Sequence, residues 1–382
     1  YATFSPSGEI RDLTAELTGI NSEQPGIEVS TRLADAGIAA FENFPGARGF
    51  TGRLRANLAG GRLEFDSSNL RIDIPQYMSE TLIFDDATGA IIWRRNSAGI
   101  IVLSDSVRLR NADFDSRSSF QIRMEPDGSE PVVDFESRWS LNDLSSAKRF
   151  LPGEIMSPAL YEWLNGALVS GVVTNGRTVL TGPLAKFPFD DGDGQFRVDA
   201  HLENAILRYG QNWPVAELTS LDLVVDGTHL YSNKNIAVNA GNSVSDAVIE
   251  ILDLRDPVLT IDAFATGTLA SIREFSRRSP IAAVFGGQLD NVQVAGDASF
   301  HLSLNYPMRD RESYEFTTRI QVSDGSISVL GFPAPLTSLN GIVTVTRDSI
   351  SSESLFGRFL GEHVDIEVLH AGELQRGGWY AG

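Results

Sequence analysis

Gln195-Phe196-Arg197-Val198-Asp199-Ala200-His201-Leu202 is the stretch that decides the fold class. Phe196, Val198, Ala200 and Leu202 fall on one side of an extended chain, and Gln195, Arg197, Asp199 and His201 on the other. A period of two marks a strand with one apolar and one solvated face. The same alternation recurs in Leu70, Ile72 and Ile74, in Val107 and Leu109, and in Phe120, Ile122 and Met124. It returns in Leu221, Leu223 and Val225, and in Val343 and Val345. Asp127-Gly128, Asp193-Gly194, Asp226-Gly227 and Asp324-Gly325 read as the turns that punctuate these runs. The pattern predicts a mostly β chain with antiparallel strands.

Part of the chain is written twice. Leu218-Thr219-Ser220-Leu221 returns as Leu336-Thr337-Ser338-Leu339, and Trp213-Pro214 and Phe332-Pro333 stand just ahead of the two copies. Ser157-Pro158 and Ser279-Pro280 occupy matching places upstream. Phe44-Pro45 followed by Thr51-Gly52-Arg53-Leu54 is a looser third copy. Repeats of this length point to modules that stack on their neighbours instead of closing around one core. The expected modules are residues 1–140, 141–265 and 266–382, with no flexible linker between them.

Helical periodicity is confined to short stretches. From Ser157, the expected N-cap, Leu160, Trp163, Leu164, Ala167 and Leu168 follow the spacing of one helix face. A shorter turn over Ser145 to Leu151 precedes it. In the second copy Ile272 and Phe275 lead to Ser279-Pro280, then Ile281, Val284 and Phe285, with Gly286-Gly287 as the stop. Each amphipathic stripe is expected to seat against the sheet. Leu160, Trp163 and Leu164 are the bracing residues of the first helix, and Glu162 and Asn165 its solvated side.

Composition narrows the function. Apolar residues make up 42% of 382, with 35 Gly besides, enough to build buried surface. The net charge of −19 repels phosphate backbones and anionic headgroups, so nucleic acid is not an expected partner. No run of about 18 apolar residues is present to span a bilayer. The absence of Cys removes disulfides, thiolate nucleophiles and Cys-based zinc sites. The five His (His201, His229, His301, His363, His370) show no metal-ligand spacing, and no nucleophile elbow or phosphate-binding Gly loop occurs. Asp190-Asp191-Gly192-Asp193-Gly194 looks like a calcium loop but lacks the closing Glu, and reads as an acidic turn. The sequence points to no enzyme, metal or cofactor. The chain begins at Tyr1 and ends at Trp379-Tyr380-Ala381-Gly382, which reads as an interior piece of a longer protein.

Lys148-Arg149-Phe150-Leu151-Pro152, Ile155-Met156-Ser157-Pro158-Ala159-Leu160 and Trp163-Leu164 resemble the central region of the YhdP family. Gly182-Pro183-Leu184, Phe187-Pro188-Phe189, Gly194-Gln195-Phe196, Tyr209 and Trp213-Pro214 continue the likeness. It is dense from Leu144 to Pro214 and looser elsewhere, with Phe150 where the family commonly has Tyr. These are AsmA-like envelope proteins of Gram-negative bacteria, relatives of TamB. The resemblance implies a long curled antiparallel sheet forming a taco-like apolar groove, with short amphipathic helices. It also implies a periplasmic segment, anchored at the inner membrane by an N-terminal helix outside this chain. Its expected cargo is phospholipid acyl chains carried toward the outer membrane.

Strands with one apolar face and no matching second layer fit that architecture independently, because hydrocarbon can cover them. The expected groove lining is Phe196, Val198, Ala200, Leu202, Leu221, Leu223, Val225, Val343 and Val345. The alternative is a structural or adhesive β-solenoid in which these residues meet one another in a dry core. An envelope glycosidase would instead need two carboxylates converging in a cleft.

Overall fold

The computed structural model describes residues 5–18, 26–41, 45–285 and 287–371. Phe44, Gly286 and the Tyr1 and Trp379–Gly382 ends lie outside the described residues. In chain order come β1 (Ser7–Thr18), β2 (Gly26–Ile38), β3 (Gly46–Asn57), β4 (Gly60–Asp73), β5 (Leu82–Asn96), β6 (Gly99–Arg110), β7 (Phe114–Met124) and β8 (Val132–Leu141). A 3₁₀ helix (Leu144–Phe150), α1 (Pro158–Ala167), β9 (Leu168–Pro183), β10 (Gln195–Leu207) and β11 (Ala216–Asp226) follow. Then come β12 (His229–Asn239), β13 (Asn242–Ile251), β14 (Val258–Thr268), α2 (Leu269–Arg277) and 3₁₀ helices at Pro280–Phe285 and Gln288–Asn291. The last elements are β15 (Val292–Pro307), β16 (Glu315–Val329), β17 (Leu336–Thr346), β18 (Ser349–Phe359), β19 (Glu362–Ile366) and β20 (Leu369–Ala371).

The described residues fall into two compact units. One takes residues 1–161, 171–202 and 223–228, the other 162–170, 203–222 and 229–382. In the first, β1 to β9 pair antiparallel, each with its neighbour in sequence. In the second, β12 to β18 do the same, and β18 also takes β19 and β20. No described pairing joins the first strand of either run to its last, so neither closes into a barrel among the described residues. The expectation of antiparallel sheet with short helices is met.

One face of each sheet is apolar and the other charged. On the solvated face of the first unit Arg108, Arg117, Arg138 and Arg177 stand directly opposite one another across β6 to β9. Like charges in register repel, and carboxylates two residues away offset them. Arg108 donates to Asp115 at 2.6 Å and Arg177 to Glu136 at 2.9 Å. Those hydrogen bonds hold both carboxyls below their ordinary range.

The alternation is broken once in most strands. Asn69 (φ 59°), Asn204 (49°), Lys234 (59°), Asp246 (52°), Ser338 (49°) and Ser354 (49°) are left-handed residues inside strands. Several coincide with register shifts, as at Ser232/Asn235, Ser245/Val248 and Thr337/Asn340. A bulge of this kind inserts one residue, bends the strand and increases its twist. It also resets which side chains face inward. The next residue is buried in each case: Leu70, Ala205, Asn235, Ala247, Leu339 and Leu355. Asp324-Gly325, expected as a hairpin turn, is one of these bulges, with Asp324 at φ 50° in the middle of β16. Asp and Asn tolerate the left-handed region because their short polar side chains bond locally, so a turn signal and a bulge signal look alike in sequence.

The two copies of Leu-Thr-Ser-Leu differ in this respect. The second copy opens β17 with Ser338 left-handed and Leu339 enclosed. The first copy lies in β11, where Leu218 and Leu221 are buried and the residues between them exposed. Both helix-bearing stretches lead into strands of 16 residues, β9 and β15. In the first the 3₁₀ helix precedes the α-helix; in the second α2 comes first and Ser279-Pro280 opens a 3₁₀ helix.

Replacing Ser338 with Val puts a β-branched residue at a left-handed position and should cost about 1–2 kcal/mol, whereas Ser338→Gly should be neutral or better. Amide exchange in β17 and β18 is the readout: faster in the Val variant, unchanged in the Gly variant.

Candidate functional site

The cross-strand registers assemble a continuous apolar surface on the inner face of the first unit. Leu54 stands opposite Leu63, and Leu63 opposite Ile91. Farther on, Val102, Ile122 and Val133 share one row, as do Phe120, Phe135 and Leu180. Phe65, Leu70, Ala87 and Val107 form a buried cluster, with Phe50, Leu63, Ile72, Ile91, Leu109 and Phe120 half-buried around it. Phe50 meets Phe65 edge-on at 5.2 Å. Phe65, Leu70 and Val107 are thus enclosed, while the side chains around them, Phe50, Leu63, Ile72, Ile91, Leu109 and Phe120, touch neighbours on their own sheet and keep part of their surface free.

Polar groups on this face bond to each other. Ser118 Oγ donates to Ser137 Oγ at 2.9 Å, and Trp139 Nε1 donates to Thr178 Oγ1 at 3.0 Å. The Trp139 indole lies across Gly176, where a Cβ would come within 2.4 Å of the ring. The Ser104 hydroxyl, opposite Phe120, has no partner but is enclosed, so the surface presents hydrocarbon and aromatic carbon.

In the second unit the inner rows run Ala265, Phe300, Ile320, Val343 and Ala263, Leu302, Thr318, Val345. Val343 is half-buried and Val345 almost completely enclosed. On β10, Phe196 and Val198 are half-buried while Ala200 and Leu202 are buried; on β11, Leu221 is buried and Leu223 and Val225 half-buried. Phe196 packs against Phe187 at 5.3 Å. On the other side of β10, Arg197 bonds Asp199 and Asp226. The cluster around Phe65 was not among the expected lining residues, although Leu70, Ile72, Val107, Leu109 and Phe120 carry the same alternation.

In α1, Leu160 is buried, Trp163 and Leu164 are half-buried, and Glu162 and Asn165 face solvent. Trp163 Nε1 donates to the Tyr209 carbonyl at 3.0 Å. Tyr209 is itself tied to Asn239, whose Nδ2 donates to the phenol oxygen at 3.2 Å. Burial pushes the Tyr209 hydroxyl above its ordinary value, so it stays protonated.

One polar cluster on the solvated face has the residue types of a hydrolase. His301 Nε2 and Ser303 Oγ both bond the Asp262 carboxylate, at 2.9 and 2.8 Å. Partial burial of Asp262 works to raise its pKa, but these two hydrogen bonds prevail and hold it below its ordinary value. The carboxylate sits between serine and imidazole, so His301 cannot take the proton from Ser303 as a nucleophile's base must. No group of three His, Asp or Glu side chains suited to a metal occurs among the described residues.

A family model described as YhdP protein matches residues 1–375. The chain belongs to the YhdP family. Over 370 residues it is 24% identical to the intermembrane phospholipid transporter YhdP of Escherichia coli strain K12, covering 96% of this chain and 29% of that protein. The YhdP-family segment here thus spans less than a third of its relative's length. No solved structure matches it. No helix among the described residues is long and apolar enough to cross a membrane.

Replacing Trp163 with Ala should destabilise this YhdP segment by on the order of 2 kcal/mol, below the 3–5 kcal/mol of a fully enclosed Trp. Trp163→Phe, which keeps the ring contact and removes the bond to the Tyr209 carbonyl, should cost about 1 kcal/mol. Hydrogen exchange around β10 and β12 would report both, with the distant strands of each unit unchanged.

Proposed function

We propose that this segment carries phospholipid acyl chains along its inner apolar face, as the periplasmic part of a bridge that is anchored at the inner membrane and delivers lipid toward the outer one. The single observation that carries the reading is the inner face of the first unit, a run of apolar rows from β3 to β9 in which a small enclosed cluster is ringed by large side chains only half-buried by their own sheet. Family membership and the relative's description as an intermembrane phospholipid transporter support it.

The mechanism is exchange of like for like. Each methylene taken from water contributes about 0.8 kcal/mol, so an acyl chain is held by area alone. When the chain slides by one strand spacing, about 4.8 Å, it leaves one set of apolar contacts and gains an equivalent set. The number of buried methylenes is constant, and the barrier to sliding stays low. The headgroup remains in solvent, since Ser118, Ser137 and Thr178 already hold partners and the unpartnered Ser104 hydroxyl is enclosed. On this reading Phe196, Val198, Ala200, Leu202, Leu221, Leu223, Val225, Val343 and Val345 contribute to the lining, and Leu160, Trp163 and Leu164 brace the sheet beside it.

Val198 is the sharpest single test, because it is half-buried and carries no polar contact to lose. Val198→Asp should leave the fold largely intact and cut co-purifying phospholipid, measured by native mass spectrometry of the full-length protein. Arg138→Asp, a charge change on the solvated face, should leave lipid unchanged. If Val198→Asp instead unfolds the protein, as an unpaired charge in a dry core does, the solenoid alternative gains and the lipid reading fails.

A further inference from the structure

Part of the inner face of the second unit is covered by a helix. α2 packs on β14 and β15, and Phe275 meets Phe300 at 5.7 Å and Trp213 at 6.0 Å. Trp213 in turn meets Phe316 edge-on at 6.0 Å. Phe300 and Phe316 lie on the same face as Ile320 and Val343, by register with Ile320 and Leu304. The helix therefore occupies the apolar rows that remain partly free in the first unit.

Its attachment is uneven. At the N-terminal end Thr268 and Ser271 form a capping box, Ser271 Oγ donates to Asn242 Oδ1 at 2.8 Å, and Asn242 Nδ2 donates weakly to the Ser271 carbonyl at 3.4 Å. Beneath the helix the polar atoms fare worse. Trp213 Nε1 and Asn239 Oδ1 are enclosed, their residues only 5% and 7% exposed, and neither finds a partner among protein atoms. Buried groups without partners raise the free energy of the state that encloses them. The seated helix is apolar and capped at one end, yet Trp213 Nε1 beneath it and Asn239 Oδ1, on the strand position paired with its anchor Asn242, are left unmet.

We propose that α2 and a lipid acyl chain compete for one seat on the inner face of the second unit, so that α2 with the Trp213 loop is a displaceable plug. The proposal rests on the acyl-carrying reading above. Ile272 and Phe275 bury the rows that chain methylenes would bury, so a guest that replaces the helix restores most of the covered apolar area. Displacement also opens Trp213 Nε1 and Asn239 Oδ1 to water or to the ester region of the guest. Occupancy by the helix and by the chain are mutually exclusive states whose balance the lipid shifts by binding only one of them.

A disulfide tests this. The chain has no Cys, and a Cβ placed on Gly241 would lie 3.7 Å from the Ser271 Cβ, within the roughly 3.5–4.5 Å of a disulfide. In the full-length protein G241C with S271C should lock α2 in its seat on oxidation. Benzoyl-phenylalanine at Ile320 reports lipid on the rows that α2 covers, and at Ile122 lipid in the first unit. Under reducing conditions both positions should cross-link phospholipid. Oxidation should lower capture at Ile320 by at least about ten-fold, reductant should restore it, and G241C or S271C alone should not respond. Equal capture at Ile320 in both states overturns the proposal, as does no capture there in either state while Ile122 still captures lipid. Absence of lipid at Ile122 in the reduced protein would instead remove the acyl-carrying reading, and the plug with it.

Discussion

The constraint on which the structure depends is that an antiparallel sheet with one apolar face must cover that face without a second sheet. Each unit pairs its strands in sequence order, so no strand is left over to form an opposing layer. The apolar area must then be hidden by bending the sheet, by laying a short helix on it, or by a guest. The first two are visible. Left-handed residues bend β4, β10, β12, β13, β17 and β18 and the side chain that follows each is enclosed, and α2 lies on part of the second unit. The half-buried rows of the first unit are what neither device covers.

Bulges explain why burial concentrates where it does. A strand with strict period two would offer every second residue equal shelter. Breaking the period at Asn69, Asp246 or Ser338 brings Leu70, Ala247 or Leu339 to the point of strongest bending, where neighbouring strands crowd in. Sheet curvature is thus encoded by the residue types that encode turns elsewhere.

That shared chemistry sets how far the sequence could be read. Strand identity and antiparallel pairing were legible because period two survives on either side of each bulge. The bulges were not, since Asp324-Gly325 satisfies a hairpin rule and a bulge rule equally; only pairing across both flanks of β16 separates them. The repeated Leu-Thr-Ser-Leu was visible, while its place, an enclosed last Leu preceded by two exposed residues in both copies, required the burial pattern. For the site, the face of β10 and β17 could be read from alternation. The aromatic cluster around Phe65 was harder to assemble, because it draws one or two residues from each of several strands and only register unites them. The Trp213–Phe275 contact spans 62 residues of sequence and leaves no local trace.

The treatment of polar groups separates the two inner faces. In the first unit Ser118 and Ser137 answer each other and Trp139 is answered by Thr178, while the Ser104 hydroxyl has no partner but is enclosed, so a guest meets no unfilled donor at the exposed surface. A surface meant for passage should look like this, since a strong polar contact would deepen one position at the expense of its neighbours. In the second unit Trp213 and Asn239 are left unanswered beneath a helix that is itself an apolar guest of the sheet. The same architecture thus combines an open apolar face in the first unit with one that a helix partly covers in the second. The difference follows from a few side chains, since the strand pattern on either side is the same.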